Sequence, residues 1–311
     1  MKGLKLTDWM ERVVGCLPHA MEEFRAFQSG IKTITDVEVK DGDHSLFTVV
    51  DKLMQDMVLQ RLASMFPEVA AFAEEGGENA GSGEYYMYFD PVDGTRELTT
   101  QTALSVMIVG LMDRANEGLV SPHDTLVGAV IAEPSTGRIW AATEGGGCHK
   151  FAVDRYGNAM PLGPCDVWEG PISRQTSVFF DSSQGGTNVR DPAHPYQLLT
   201  DAQNAELYAL LNPQTHVRVL GPNGQIEALV ANGARGVGGS MSLHLGWPWD
   251  ACGVLLVLEA GGAARAFSIV NDGLVDCNPL EVNSYDFLIC ANNKANADHL
   301  ADELINAYVL A

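Results

Sequence analysis

Residues 85–98 read YYMYFDPVDGTREL, an aromatic-rich apolar run that ends in two carboxylates three residues apart. The composition of Tyr85–Phe89 is typical of a buried strand. Pro91 has no N–H to donate to a strand ladder, so we expect this strand to stop at Asp90. Asp90 and Asp93 then lie at the tip of the strand. Hard carboxylate oxygens suit Mg²⁺ or Mn²⁺, so the segment predicts a metal site.

A turn and a short helix are expected directly after the two aspartates. Gly94 permits a sharp or left-handed turn, and Thr95 is a suitable N-cap for a helix that begins at Arg96. Glu97 would then lie near the positive end of that helix. Free backbone N–H groups at the turn and the helix start would receive a phosphate. For the segment alone, an ordinary strand-to-turn connection is an equal alternative, since Asp, Pro and Gly are common turn residues.

The composition limits the classes of partner. Of the 311 residues, 46% are hydrophobic and 19% are charged, and the formal net charge is −21. This charge argues against nucleic acid and anionic membranes as partners. A protein with this net charge can hold a phosphate only where bound divalent cations make the local charge positive.

The sequence also predicts a compartment. Charges interrupt the N-terminus too often for a signal peptide, and no run approaches the length of a membrane span. Six cysteines are scattered without C-x-x-C spacing, which indicates reduced buried thiols rather than a metal or redox motif. We therefore expect a cytoplasmic protein.

Hydrophobic periodicity predicts the remaining elements. We expect helices at 7–28, with a possible kink at Pro18, and at 51–65, 195–211, 223–232, 249–261 and 296–308. We expect strands at 69–73, 103–111, 126–133, 138–142, 177–181, 217–220 and 287–291, and a surface loop at 78–84. The Gly-rich patch Gly145–Gly147 and the stretch Pro161–Pro171 mark the domain junction, which gives domains at 1–165 and 166–311.

Four other segments accompany the central one in a fixed order. They are TVVD at Thr48–Asp51, AEEG at Ala73–Gly76, WPWDACG at Trp247–Gly253 and EAGG at Glu259–Gly262. Together with DPVDGT they resemble the inositol monophosphatase family of the lithium-sensitive, metal-dependent sugar-phosphatase superfamily. The resemblance runs from about Lys40 to about Gly262. It implies an α/β (α+β) layered sandwich, the sugar-phosphatase fold, with an N-terminal α+β domain and a C-terminal α/β domain, often assembled as a homodimer.

The resemblance also implies a set of metal ligands. One Mg²⁺ would be held by Glu74, Asp90 and the backbone carbonyl of Val92. A second would be held by Asp90, Asp93 and Asp250, so that Asp90 bridges the pair. Two or three Mg²⁺ ions per site are expected, and Mn²⁺ is an alternative.

The catalytic residues implied by the resemblance are Thr95, Asp51 and Glu74. Thr95 would polarise the attacking water with Asp51 as its hydrogen-bond acceptor, in place of a histidine base. From the residues alone, Asp51 could instead be the N-cap of the second helix. Two divalent ions would activate the water, neutralise the phosphate and stabilise the leaving oxygen.

Substrate contacts are implied at the backbone of Gly94 and Thr95, at Asp93, and at Lys40 in a polar loop. A solvated surface lysine is an equal alternative for Lys40. His244 lies six residues before Asp250 and could line the pocket, although a structural or surface role is the more common one for a lone histidine.

Three functions remain open. The first is Mg²⁺-dependent hydrolysis of a small phosphate monoester of a polyol or sugar, with inhibition by Li⁺ implied by the resemblance. The second is a 3′(2′),5′-bisphosphate nucleotidase acting on adenosine 3′,5′-bisphosphate, because DGTREL is closer to the nucleotidase DGTKEF than to the DGTTNF of inositol monophosphatases. The third is an inactive metal- and phosphate-binding protein. Gly221–Asn223 and Leu243 depart from the family pattern at places that concern substrate recognition.

Overall fold

The structure is a computed structural model that describes residues 4–30, 38–39, 46–74, 76, 78–79, 83–100, 102, 104–116, 120–181, 199–243, 245, 248–271 and 273–310. Lys40 and His244 lie outside the described residues, so the predictions made for them have no structural test. Within the described part of the chain, no helix combines the length and the apolar character that crossing a bilayer requires.

Two long helices begin the chain. Helix α1 spans Leu6–Gln28 and continues through Pro18, as the spacing of its apolar residues predicts. Helix α2 spans Val49–Met65. The alternative in which Asp51 caps α2 is wrong. Thr48 has the extended backbone of an N-cap, and Asp51 is the third helical residue, whose carboxylate accepts a hydrogen bond from the Thr48 backbone N–H at 2.8 Å.

Two sheets follow, preceded by a short ribbon. The ribbon is β1 Glu38–Val39 with β2 Leu46–Phe47. The first sheet comprises β3 Ala70–Ala73, β4 Glu78–Asn79, β5 Tyr85–Asp93, β6 Val106–Asp113, β7 Thr125–Glu133, β8 Arg138–Thr143, β9 Gly147–Val153 and β10 Ala159–Pro164, and helix α3 spans Thr95–Thr99. Its order is β10-β9-β8-β7-β6-β5-β3-β4, antiparallel except where β3 pairs with β5. Glu78–Asn79, expected in a loop, pairs with β3 instead.

The second sheet is smaller and mixed. Its strands are β11 Ser177–Asp181, β12 His216–Leu220, β13 Val237–Ser242, β14 Ala263–Val270, β15 Gly273–Cys277 and β16 Phe287–Ala291, in the order β12-β11-β13-β16-β14-β15. The helices of this half are α4 Asp201–Leu211, α5 Asn223–Ala231, α6 Val254–Glu259 and α7 Lys294–Leu310. Strand β11 is parallel to both of its neighbours, and the other pairs are antiparallel.

Three apolar clusters stack these elements in layers. The first joins α1 and α2 to one face of the first sheet. The second joins the other face of that sheet to α5, α6 and the second sheet, and the third joins the second sheet to α4 and α7. The layers are therefore helix, sheet, helix, sheet, helix, which confirms the layered α/β class.

The site strand is buried on both faces. Met87 and Phe89 belong to the first cluster, whereas Tyr86 and Tyr88 belong to the second. This alternation is the two-residue period of a strand between two packed layers. It explains why an unbroken apolar run leads to the two aspartates.

Strand β5 continues through Pro91 to Asp93, so the prediction that it stops at Asp90 is wrong. Asp90 pairs with Ile108 of β6 and Asp93 pairs with Val106, so three steps along β5 face two along β6. The extra residue in β5 is a bulge, and proline is tolerated there because its N–H is not needed. Residues three apart in a regular strand point to opposite faces. The bulge therefore changes the face of the sheet to which one of the two aspartates points.

The prediction of a single helix over 249–261 is only partly right. The helix expected over 249–261 is divided, because Pro248–Ala251 forms a 3₁₀ helix and α6 begins only at Val254. The Cys252 N–H donates to the Trp249 carbonyl, three residues back, at 3.0 Å, which is the tighter turn of a 3₁₀ helix.

The domain boundary at 165/166 stays a prediction. Between β10 and β11 the chain passes from the first sheet to the second. Helices α5 and α6, which come later in the chain, nevertheless pack against the first sheet.

Candidate metal centre

Asp90 and Asp93 are both buried at the end of β5. The Val92 N–H donates to Asp90 Oδ1 at 2.8 Å, which holds that carboxylate against its own turn. Asp93 Oδ2 accepts a hydrogen bond from the Gly224 N–H at 2.8 Å. Each carboxylate therefore keeps oxygens for another partner while its orientation is fixed by the backbone.

Asp250 reaches this place on the 3₁₀ helix. The Trp249 ring packs edge-on against Tyr88 of β5, with ring centroids 5.9 Å apart. Cys252 packs over Gly110 of β6, where an added Cβ would lie 2.4 Å from its Sγ. The two contacts dock the 3₁₀ helix onto the strands beside Asp90, although 160 positions separate the two aspartates in sequence numbering.

Oxygens of Asp90, Asp93 and Asp250 lie within 4.8 Å of one another. Burial raises the pKa of Asp90 and of Asp93, and repulsion between the carboxylates raises both further. Among the described residues no ion pair neutralises Asp90 or Asp93. Three close carboxylates, two buried and the third half-buried, are a donor set that fits a hard divalent cation, which would offset their repulsion.

Glu74 lies beside this cluster. Its backbone N–H donates to the Phe89 carbonyl at 3.1 Å, which places it next to the end of β5. Its side chain is hydrogen-bonded to Asp90, and this bond also raises the pKa of Asp90. The group of three mutually close oxygens does not include Glu74. Glu74 is therefore connected to the carboxylate cluster by its hydrogen bond to Asp90.

Thr95 and Asp51 form the hydrogen bond that the family resemblance implies. The Thr95 hydroxyl donates to Asp51 Oδ1 at 2.8 Å, and the Val92 carbonyl is a more distant acceptor at 3.2 Å. Asp51 Oδ2 accepts from the Thr48 N–H at 2.8 Å and from its hydroxyl at 2.5 Å. Burial raises the pKa of Asp51, while the bonds from Thr48 and Thr95 oppose that rise.

Thr95 is not the N-cap of the short helix, so that prediction is wrong. Helix α3 begins at Thr95, and its N-cap is Gly94, which has the left-handed φ of 95° and no capping side chain. The Thr95 hydroxyl is committed to Asp51 instead. An added Cβ on Gly94 would lie 2.5 Å from the Pro222 ring, so glycine is required both by the turn and by this contact.

The turn that departs from the family pattern contacts the site. Pro222 lies against Gly94, and Gly224 supplies the amide that holds Asp93. Glu97 lies against Gly221, where an added Cβ would meet its Oε1. The first turn of α5 is thereby placed beside both the aspartates and helix α3.

Glu227 is a site neighbour that the sequence reasoning missed. It lies on α5 with no exposed surface, and neither carboxyl oxygen has a hydrogen-bond partner of normal geometry among the described residues. Burial and repulsion from Asp93 and Asp250 raise its pKa, and the Gly253 amide opposes the rise. The available signal was a lone acid inside the apolar run 226–231.

We expect Glu227→Met to stabilise the metal-free protein at pH 8 by about 1–4 kcal/mol, because an unbranched apolar side chain removes a buried carboxyl whose oxygens lack a hydrogen-bond partner of normal geometry. Glu227→Gln keeps the shape and an unpaired polar group, so it should gain less. Urea unfolding in the presence of a chelator measures both. A Met variant less stable than the native protein would mean that the carboxyl has a stabilising partner.

Solved structures share this fold. The extragenic suppressor protein SuhB from Bartonella henselae superposes with a TM-score of 0.70 at 18% identity, covering 96% of this chain and 98% of its own. The Thermotoga maritima IMPase gives 0.67 at 19% identity, with coverages of 97% and 96%. The 2′-AMP-bound IMPase-II of Staphylococcus aureus gives 0.63 at 15% identity, with coverages of 95% and 93%.

Identities this low show the fold alone, and no functionally curated protein sequence matches the chain. A sequence model described as "Inositol monophosphatase family" matches residues 14–306. The match covers nearly the whole chain, including every described residue of the candidate site. The chain therefore belongs to the inositol monophosphatase family.

Proposed function

We propose that the chain is a Mg²⁺-dependent phosphatase that hydrolyses a small phosphate monoester of a polyol or sugar. Family membership supports a phosphatase, and the proposal adds the metal, the substrate class and the residues. The observation that carries it is the cluster of Asp90, Asp93 and Asp250 beside the hydrogen-bonded pair of Thr95 and Asp51. The groups proposed to bind the cation and to activate water would thus meet at one end of β5.

The metal ligands proposed are the carboxylates of Glu74, Asp90, Asp93 and Asp250 and the carbonyl of Val92. Asp90 would be shared, since it lies both in the close cluster and in a hydrogen bond with Glu74. Bound Mg²⁺, or Mn²⁺, would supply positive charge for the phosphate and the leaving oxygen and would acidify water. Two or three ions per site are proposed.

Thr95 would orient the attacking water. Its hydroxyl proton points to Asp51, so the hydroxyl oxygen is left to accept a hydrogen bond from water. Asp51 in turn is held on its other oxygen by Thr48. The water would attack phosphorus, form the new P–O bond and release a proton, while the ester P–O bond breaks and the leaving oxygen takes up a proton. Glu74, beside Asp90, is the further carboxylate proposed for water activation.

The phosphate would be received by the backbone N–H groups of Gly94 and Thr95, next to Asp93. Gly94 supports this because its left-handed turn leads directly into α3. Lys40 is proposed as a further contact on the family resemblance.

Removing the Thr95 hydroxyl should slow the reaction without releasing the metal. We expect Thr95→Val to lower kcat by roughly 10²–10³-fold, which is the usual contribution of a positioned acid–base group. Thr95→Ser keeps the hydroxyl and should stay within a few-fold of the native rate. Mg²⁺ titration by calorimetry should give similar affinities for the two variants. A Val variant with native kcat, or one that no longer binds Mg²⁺, would contradict the assignment.

A second candidate is a 3′(2′),5′-bisphosphate nucleotidase. Glu97, one of the residues that make DGTREL resemble the nucleotidase motif, lies at the Gly221 turn beside the site. The structure of Staphylococcus aureus IMPase-II was solved with 2′-AMP bound, so that relative accommodates an adenosine nucleotide. An inactive metal-binding protein is disfavoured, since a decayed enzyme should have lost at least one of the proposed residues.

The testing experiment is a phosphate-release assay on the purified protein with and without Mg²⁺. Inositol 1-phosphate, fructose 1,6-bisphosphate, histidinol phosphate and adenosine 3′,5′-bisphosphate are offered side by side, each with and without Li⁺. Preference for a polyol or sugar phosphate supports the proposal, and preference for the adenosine compound moves the protein to the nucleotidase branch. No Mg²⁺-dependent release from any of them would count against a phosphatase of either kind.

Homodimer formation, the domain boundary at 165/166 and a cytoplasmic location complete the proposal. Size-exclusion chromatography with light scattering tests the first of them, and a monomer at assay concentration would remove it.

A further inference from the structure

Two of the six cysteines lie opposite each other at the edge of the first sheet. Strand β10 pairs with β9 in a register that ends with Pro164 opposite His149, and one further step in the same register sets Cys165 opposite Cys148. The Cys165 N–H donates to the Cys148 carbonyl at 2.7 Å, so the ladder continues by one residue. Directly opposed residues that share a backbone hydrogen bond have Cα atoms about 5.5 Å apart. Disulfides span about 4.4–6.8 Å between Cα atoms.

The side chains of the pair also meet. Both thiols are buried, both belong to the second apolar cluster, and they lie near enough for each to shift the pKa of the other. The interaction with Cys148 lowers the pKa of Cys165, burial opposes that change, and the charge of Lys150 on β9 adds to the lowering. The same pairing raises the pKa of Cys148. Cys165, which follows the terminal strand, is therefore assigned the first attack, and Cys148, inside β9, the resolving role.

We propose that Cys148 and Cys165 form a reversible dithiol modification site that a hydroperoxide converts into a disulfide. The backbone is already at a spacing that a disulfide spans, so the bond forms without separating β9 from β10. This site is independent of the metal centre and of the proposed phosphatase activity.

The chemistry balances in two steps. The Cys165 thiolate attacks hydrogen peroxide, an S–O bond forms, the O–O bond breaks, and hydroxide leaves. Cys148 then attacks the sulfenic sulfur of Cys165, an S–S bond forms, the S–O bond breaks, and the second oxygen leaves as water with the Cys148 proton. Two thiols and one peroxide give one disulfide and two waters, and the two sulfurs together lose two electrons.

Access for a small oxidant is provided by the sheet edge. Strand β10 is the terminal strand, paired on one side only, and its Met160 and Leu162 are half exposed. An edge strand with exposed apolar side chains opens locally at lower cost than a central one. Cys165 follows the last residue of this strand, so a local opening of the edge that breaks the Val167–Ala260 hydrogen bond would expose its thiol.

A disulfide here would join the sheet to the segment that enters the second half of the chain. The Val167 N–H, two residues after Cys165, bonds the Ala260 carbonyl at the end of α6 at 3.0 Å. Glu259 accepts from the N–H groups of Gly145 and Gly147 at the start of β9, each at 2.8 Å. The cross-link would close a loop already held at both ends, and it should raise the melting temperature.

The test is thiol mapping of the full chain after graded exposure to hydrogen peroxide, followed by alkylation and peptide mass spectrometry. We expect a Cys148–Cys165 cross-linked peptide that dithiothreitol reverses, together with a melting temperature several degrees above that of the reduced protein. Cys16 is the internal control, since burial raises the pKa of this unpaired thiol to about 11 and it should stay alkylatable.

Two variants separate the steps. In Cys148→Ala, Cys165 should accumulate as sulfenic acid trapped by dimedone, roughly tenfold above the native protein, because the resolving thiol is absent. In Cys165→Ala, Cys148 should remain reduced. The proposal is overturned if the native protein keeps both thiols reduced while the partly exposed Cys277 is oxidised, or if Cys165 pairs with a cysteine other than Cys148.

Discussion

Asp90→Asn will lower Mg²⁺-dependent phosphate release by at least about 10³-fold at saturating Mg²⁺, because the shared carboxylate of the proposed centre loses its charge. Asparagine is nearly isosteric, and its side-chain oxygen can still accept the Val92 N–H that now holds Asp90 Oδ1. The fold should therefore survive. In the metal-free protein the variant should be more stable than the native chain, since it removes repulsion with Asp93 and Asp250.

Asp113→Asn is the matched control for this change. Asp113 lies on the adjacent strand β6, opposite Tyr85 at the far end of β5, and it is exposed. Its replacement should leave both the rate and the Mg²⁺-induced thermal shift near native values. Near-native turnover by the Asp90 variant, or an equal loss in the control, would remove Asp90 from the centre.

Asp90 and Asp93 were predictable as candidate metal ligands from local pattern, and the family resemblance added Asp250. An apolar strand followed by Asp90 and Asp93, and a separate aspartate at Asp250 after an aromatic run, mark element ends that burial brings together. The Thr95–Asp51 bond came from the family resemblance, and the structure contains it. What the pattern could not supply was the bulge in β5, since one extra residue depends on pairing with β6.

Elements with poor local propensity escaped prediction for a related reason. Strand β13 contains Gly238 and Gly239, which weaken a strand by themselves. An added Cβ at Gly239 would lie 2.7 Å from the Cys290 carbonyl and 2.8 Å from Leu300, so the glycine is needed for packing that only the tertiary structure defines. Glu227 was missed in the same way, because an acid on a helix is ordinarily read as exposed.

The stability of the metal-free protein will fall as pH rises from 5 to 8, and Mg²⁺ will cancel most of that fall. Burial raises the pKa values of Asp90 and Asp93 in the folded chain, with repulsion from Glu74 adding most at Asp90 and repulsion from Asp250 adding most at Asp93. In the unfolded chain these groups return to about 3.9. Over this range the folded state holds protons that the unfolded state has already lost.

Raising the pH therefore favours unfolding, by up to about 1.4 kcal/mol per pH unit for each such group while it stays protonated in the folded state. The stabilisation from each such group is fully present below its pKa in the unfolded chain. It is lost as the pH rises through its pKa in the folded chain. Mg²⁺ binds the deprotonated carboxylates, so its stabilising effect must grow with pH. Urea unfolding at four pH values, with chelator or with Mg²⁺, measures both trends.

Asp93→Asn separates this effect from the general self-repulsion of a chain with a net charge of −21. Overall repulsion changes by only one charge in the variant, whereas the linked proton of Asp93 is removed completely. Without metal, the free energy of unfolding should therefore fall less steeply with pH, by the contribution of one group. The stabilisation by Mg²⁺ should be smaller at every pH. A slope that is the same in the native and variant proteins would mean that Asp93 is already ionised in the folded chain without metal, and that the cluster is neutralised by another group.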